Sequence, residues 1–312
     1  MKTFLLRVRA TPAYLGIFYV LLYVLSASSN GVMAGHVMQS VDPFAALFVT
    51  FIIAAVFFQI ISAKKGKSDY RAALQPNKGI FELNVSTLGA WLGYFYSVKF
   101  LEPAIVSTIS VGFAPTAAVL WSFIREKNAI ARPELMSSMV TLFVTCYLMH
   151  VSFQGNSAVG AISINELIKG GTAAIITSIF VMLTIIYSKK MSTTGVTTSS
   201  IMAHRFYILI PVAFFVAIYN EGFNQALIDN VPMLLVMAIF GVIVPLWFLQ
   251  KGTKLLKPVI VLIIISMAPG YTYLIELLDP RLTPKIEVLL AITLLTSVAI
   301  YAVYIPTQHR IR

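Results

Sequence analysis

Carboxylates are scarce in this chain. Twelve Asp and Glu are scattered through 312 residues, against 23 Lys and Arg. They form no paired acidic motif, and no HExxH, GxSxG or Walker A pattern occurs. These absences speak against an intramembrane enzyme and against ATP drive within this chain. There is one cysteine, Cys146, inside an apolar run. A single cysteine closes no intrachain disulfide and builds no cysteine-rich metal site, so it reads as a small buried hydrophobe. Only four histidines are present, too dispersed to ligate a metal. No stretch interleaves basic residues with exposed aromatics, as a nucleic-acid surface would. The sequence implies no cofactor, no metal and no nucleic acid.

What is abundant is apolar sequence. The chain is 58% hydrophobic and 11% charged, where soluble domains carry about 25% charged residues. A helix crossing the bilayer core needs roughly 20 mostly apolar residues. Ten such runs are expected: 13–35, 43–63, 80–98, 103–124, 134–152, 168–188, 197–219, 231–250, 258–278 and 286–305. The first follows Lys2, Arg7 and Arg9 and ends in LSASSN, in the manner of a signal peptide. The apolar character continues through GVMAG, so it is read as a retained span 1. With the N-terminus in the cytoplasm, 18 basic residues fall inside and four outside, Arg205 alone lying within a span. That asymmetry places both termini in the cytoplasm.

The phrase KFLEPAIV at Lys99–Val106 returns as KLLKPVIV at Lys254–Val261, 155 residues later. The same shift lays Phe51 on Phe206, and with a one-residue gap Ala114-Pro115 meets Ala268-Pro269. Spans 1–5 then fall on spans 6–10. Five is odd, so the second half enters the membrane from the opposite side. The expected fold is an all-α polytopic membrane protein of ten spans in two inverted repeats, residues 1–152 and 153–312. In such repeats a small-molecule site lies near the midplane between the halves.

Several stretches resemble the drug/metabolite transporter superfamily, in particular its EamA-type ten-helix transporters. They are SSNGVMAGHVMQSVDPFAALFVTF at 28–51, FLEPAIVSTISVGFAPTAAVLW at 100–121, SKKMSTTGVTTSSIMAHRFYILIP at 188–211, and the segment from Leu255 to Pro284. LLDPRLTP at 277–284 resembles the family's turn before the last helix. The family often carries an arginine in its second helix; here Thr50 stands there, and its repeat counterpart is Arg205. The resemblance implies a secondary transporter of small metabolites, often an exporter and often proton-coupled, with its pathway among spans 1, 3, 4, 6, 8 and 9.

Arg205 is the foremost candidate residue. Eight residues into span 7, it lies about 12 Å deep. An arginine near the core centre costs about 2.5 kcal/mol or more to insert. It therefore calls for a cavity or a partner: an anionic group on a substrate, or an internal tie to helix ends or an acid. Span 3 carries a stripe of Asn84, Thr87, Trp91 and Tyr94, and span 1 one of Tyr19, Tyr23, Ser26 and Asn30, at helical spacing. Such stripes line an amphiphilic pocket or pack helices. Tyr23, Asn30, Trp91 and Tyr94 are taken as substrate-binding candidates, with Trp247, Gln250 and Tyr271 beside them. His204 is the candidate for proton coupling. Pro115, Pro269 and Gly270 are candidate hinges in spans 4 and 9. Gly31/Gly35 and Gly89/Gly93 form GxxxG patterns suited to close packing of spans 1 and 3.

The expected protein is a multi-pass carrier of the bacterial inner membrane, monomer or homodimer, with a small polar or aromatic, amino-acid-like substrate. A flippase or carrier for a lipid-linked or amphiphilic, drug-like substrate is the alternative.

Overall fold

The computed structural model describes residues 12–75, 79–101, 103–126, 132–154 and 163–277, with 286, 289–291, 293–294, 297–298 and 301. The turn at 278–284, with Asp279, lies outside the described residues. The described part is helical and contains no strand. Span 1 is Pro12–Val37, span 2 Pro43–Lys64, span 3 Ile80–Phe100, span 5 Arg132–Phe153 and span 6 Ile164–Thr193. Spans 4, 7, 8 and 9 are broken. Span 4 runs Pro103–Gly112 then Ala114–Trp121; span 7, Thr198–His204 then Leu209–Tyr219; span 9, Pro258–Ile265 then Ala268–Glu276. Span 8 is Val231–Val236 and Val244–Leu255, joined by the π-helical stretch Met237–Ile243. Between 286 and 301, where span 10 is expected, every described residue is helical. Seven helices among the described residues are long and apolar enough to cross a membrane.

Caps fix where the spans begin. Asp42 Oδ1 accepts from the N–H groups of Phe44 and Ala45, 3.0 Å each, and Pro43 occupies the first helical position, where it lacks only a donor that would go unused. Ser163 and Glu166 form a reciprocal capping box on span 6. Thr197 Oγ1 accepts from Ser200 N–H at the start of span 7.

The echoed phrases form equivalent turns. Span 3 ends at Leu101 with φ −121° and ψ 151°, and span 8 ends at Leu256 with φ −109° and ψ 164°. Each leucine then packs on a glycine. A Cβ on Gly170 of span 6 would lie 2.6 Å from Leu101 Cγ, and one on Gly16 of span 1 would lie 2.8 Å from Leu256 Cγ. Ser97 Oγ reinforces the first contact by donating to the Gly170 carbonyl, 2.8 Å. The most extensive helix packing follows these contacts, span 3 against span 6 and span 1 against span 8.

The GxxxG glycines pack inside the chain. Gly89 and Gly93 receive Phe180 and Thr177 of span 6, whereas Gly31 and Gly35 receive Tyr94 and Pro103. The closest partner of the span 3 pair is therefore span 6, not span 1. Cys146 is a correction to the sequence reading: it is exposed on the outer face of span 5, not buried. In a helix apolar all round, composition does not distinguish the lipid face from the core face.

Substituting leucine at Gly170 or Gly16 overpacks these contacts. Each variant should lose about 1–3 kcal/mol of stability, read as a lower thermal midpoint in detergent. Gly171, with nothing within 4 Å of an added Cβ, is the control: Gly171→Ala should gain roughly 0.5–1 kcal/mol from helix propensity.

Candidate functional site

The breaks in spans 4, 7, 8 and 9 surround a cavity holding about 890 Å³ of atom-free space, its mouth included. Span 1 contributes Tyr23, Ala27, Ser28 and Asn30; span 3, Ala90, Trp91 and Tyr94; span 4, Ser107, Ser110 and Val111. Span 6 adds Thr177, Val181, Thr184 and Ile185, and span 7 adds Arg205. Gly241, Leu246 and Leu249 of span 8 and Ile265, Ala268 and Thr272 of span 9 complete it. The lining is mostly apolar with a few convergent polar groups, as small-molecule sites are.

Arg205 is 1% exposed and closes the first half of span 7. Residues 205–208 form turns, not helix, before Leu209 resumes the span. Span 3 bridges this break. Asn84 Nδ2 donates to the His204 carbonyl at 2.8 Å, and Asn84 Oδ1 accepts from Ile208 N–H at 3.3 Å. In an unbroken helix, Ile208 N–H would bond the His204 carbonyl directly. The Asn84 amide is thus inserted into the ladder, one group on each side. A further bond from Asn84 Nδ2 to the Ile80 carbonyl, 2.9 Å, anchors the amide to its own helix. Pro211 removes the next donor but two, and the turn is set.

The guanidinium itself is poorly partnered. Nη1 reaches Met202 Sδ at 3.5 Å and Nη2 reaches Thr87 Oγ1 at 3.4 Å, both long. Nε is buried without a partner. Among the described residues no carboxylate stands within ion-pair distance of it. A buried guanidinium has five donors to satisfy, and here most of that capacity remains. Three lining residues each hold a buried polar atom without a partner: Asn30 Oδ1, Ser110 Oγ and Thr184 Oγ1.

The cavity brings together Arg205, Tyr23, Asn30, Trp91 and Tyr94 of the sequence candidates. The other candidates lie elsewhere. Trp247 stacks on Phe58 at 6.0 Å between ring centroids, with Lys251 Nζ 5.3 Å above its ring. Gln250 is buried and donates from Nε2 to Ser192 Oγ at 3.2 Å, tying span 8 to span 6. Tyr271 packs against the core. His204 points away from the cavity: Nδ1 meets the Tyr207 hydroxyl and Nε2 the Tyr70 carbonyl. Both ring nitrogens are engaged, which pins the short helix Lys67–Ala72 to span 7. Pro115 and Pro269 open the second segments of spans 4 and 9, with Gly270 following. Sequence reasoning missed Ser107, Ser110, Thr177 and Thr184. Hydroxyls in membrane helices commonly bond their own preceding turn, as Thr177 does to the Ala173 carbonyl at 2.9 Å, so their letters carry no signal.

Comparison with known proteins adds the following. Residues 14–150 match the EamA-like transporter family. No curated protein sequence matches the chain. A crystal structure of a protein 18% identical in sequence is similar in fold, with TM-score 0.73, over 96% of this chain and 99% of that one.

Asn84→Leu should leave the His204 carbonyl and Ile208 N–H facing each other without the bridging amide. An unpaired buried group costs about 1–3 kcal/mol. The expected result is a lower thermal midpoint together with faster amide hydrogen exchange at Ile208, while Asn84→Gln restores part of both.

Proposed function

We propose that the chain, whose residues 14–150 match the EamA-like transporter family, is a secondary active carrier of the drug/metabolite transporter superfamily. Its substrate is a small amphiphilic metabolite bearing an anionic group, amino-acid-like in size. The observation that carries this reading is Arg205: a buried cation with no carboxylate in ion-pair reach among the described residues, at a helix break, on the wall of a cavity lined mostly by apolar groups with scattered hydroxyls. An anionic group would supply the missing acceptor, and Tyr23, Trp91 and Tyr94 would pack its apolar part.

The reading includes alternating access between two inverted halves, residues 1–152 and 153–312. The reciprocal packing of Leu101 on Gly170 and Leu256 on Gly16 supports it. Both termini face the cytoplasm of the bacterial inner membrane, and net movement is outward. The loop charges support the orientation; the family resemblance supports the direction. His204, bonded outside the cavity, offers no proton route to the substrate.

The test is thermal stability of purified protein titrated with organic acids, amino acids and their neutral isosteres. A ligand at about 100 times its dissociation constant adds about 2.7 kcal/mol. Anionic probes should stabilise the parent and have no effect on Arg205→Gln. In the absence of ligand, Arg205→Gln should be no less stable than the parent, because no ion pair is broken. A large loss of stability in the unliganded variant would make Arg205 a structural residue and overturn the reading. Stabilisation by lipid-like compounds alone would favour the flippase alternative.

Orientation has its own test. In a Cys146→Ser background, Asn224→Cys should react with an impermeant maleimide added to intact cells, and Lys67→Cys should react only after permeabilisation. The reverse pattern would invert the topology.

A further inference from the structure

The inner half of span 8 has two faces. Leu246 and Leu249 line the cavity, whereas Val244, Trp247, Phe248 and Lys251 do not. From Gly241 to Thr253 those four are the only residues that are not buried. Their spacing of three and four sets them on one stripe of the helix. Span 8 packs against both span 1 and span 2, while those two, though consecutive, scarcely touch each other among the described residues. Tyr19 of span 1 stacks on Phe248 at 6.1 Å between ring centroids, and Phe58 of span 2 stacks on Trp247 at 6.0 Å. The stripe is thus the floor of a crevice with a ring from a different helix on either side. A part of a span that the protein leaves uncovered is met by lipid.

Lys251 closes one end of this crevice. Its Nζ lies 5.2 Å from the centroid of the Tyr19 ring and 5.3 Å from that of Trp247. Other lysines nearby are spent on bonds, Lys65 to Ser199 Oγ at 2.9 Å and Lys189 to the Lys254 carbonyl at 2.8 Å. Among the described residues the Lys251 ammonium has neither a hydrogen-bond acceptor nor a carboxylate, and an ammonium has three donors to place. In the other direction, Phe240 stands four residues before Val244 and is 62% exposed. From Phe240 to Lys251 the helix rises about 16 Å, about half of a hydrocarbon core roughly 30 Å thick. The apolar stripe is one leaflet deep and ends in a cation with free donors.

We propose that this crevice is a binding site for one anionic phospholipid, its acyl chain along Phe240, Val244 and Phe248 and its phosphate on Lys251. A zwitterionic lipid carries its own cation beside the phosphate. An anionic lipid leaves the phosphate to the ammonium, and such charge-assisted bonds are the stronger kind. The two rings hold the ammonium at the depth of the headgroups, where tryptophan and tyrosine are themselves favoured.

Trp247 makes the site readable. The chain has three tryptophans, Trp91, Trp121 and Trp247, so in a Trp91→Phe, Trp121→Phe background Trp247 alone reports on its neighbouring lipid. The full-length protein is placed in phosphatidylcholine vesicles, and its fluorescence is quenched with brominated phosphatidylglycerol or brominated phosphatidylcholine. The anionic lipid should associate about fivefold more strongly. Adding Lys251→Gln should bring that ratio to about one. Lys190→Gln removes an equal charge from the exposed end of span 6 and should leave the ratio unchanged. Should the tryptophan background fail to fold, the thermal midpoint in detergent of the chain with all three tryptophans serves instead. Phosphatidylglycerol should raise it, and Lys251→Gln but not Lys190→Gln should abolish the gain.

A ratio of about one in the parent, or a preference that survives Lys251→Gln, overturns the proposal. So does an equal loss in Lys190→Gln, which is the mark of diffuse surface charge. A thermal gain reproduced in full by glycerol 1-phosphate makes this a site for free phosphate and overturns the lipid.

Discussion

In hydrocarbon, every backbone N–H and carbonyl has to find a partner within the protein. An unbroken helix meets that demand by itself. This chain does not keep its helices unbroken: four described spans are interrupted, and the interruptions converge on one cavity. Each interruption releases polar groups that lipid cannot satisfy, so the surrounding helices are built to receive them. Asn84 takes two of the groups released in span 7, and Ser28 donates from span 1 to the Ala268 carbonyl, 3.1 Å, at the restart of span 9. The Arg205 guanidinium and the hydroxyls of the lining are what gives a mostly apolar pocket its chemistry.

The same constraint explains why Arg205 can be where it is. A guanidinium in the core is costly, and a helix end beside a cavity is one of the few places that tolerate it. The break in span 7 provides that end, and Pro211 and Asn84 hold it open. Met202 and Thr87 touch the guanidinium only at long range. The residue is held in position more by the path of its backbone than by bonds to its head group, and the head group keeps its donors.

Much of this architecture is legible in the letters because the bilayer sets the length of an apolar run. The span limits read from the sequence agree closely with the helices at Pro43–Lys64 and Thr198–Tyr219. The doubled phrase around Pro103 and Pro258 is legible as a pair of turns, and Arg205 stands out by the cost of its burial. The face that each residue presents is another matter. Asn30 and Gln250 look alike in sequence, each a polar residue in an apolar helix. One is left with an unpartnered oxygen buried against Gly241 and the other is spent on a bond to Ser192. Helical spacing assigns residues to a stripe but does not say what the stripe meets. Nor does TTSSIMAHRFYILIP announce its break: Pro211 is the only local sign, and the residue that makes the break tolerable lies 120 positions away.

The insertion of Asn84 into span 7 also limits how the molecule can move. Span 3 supplies the amide and span 7 the gap. Sliding one past the other would strand a carbonyl and an N–H at membrane depth with nothing in reach. The two helices are therefore obliged to travel as one body. Trp91 and Tyr94 lie on the same helix as Asn84, so the aromatic wall and the guanidinium keep their spacing for as long as that amide stays inserted. One amide thus fixes two walls of the chamber against each other, those built by spans 3 and 7.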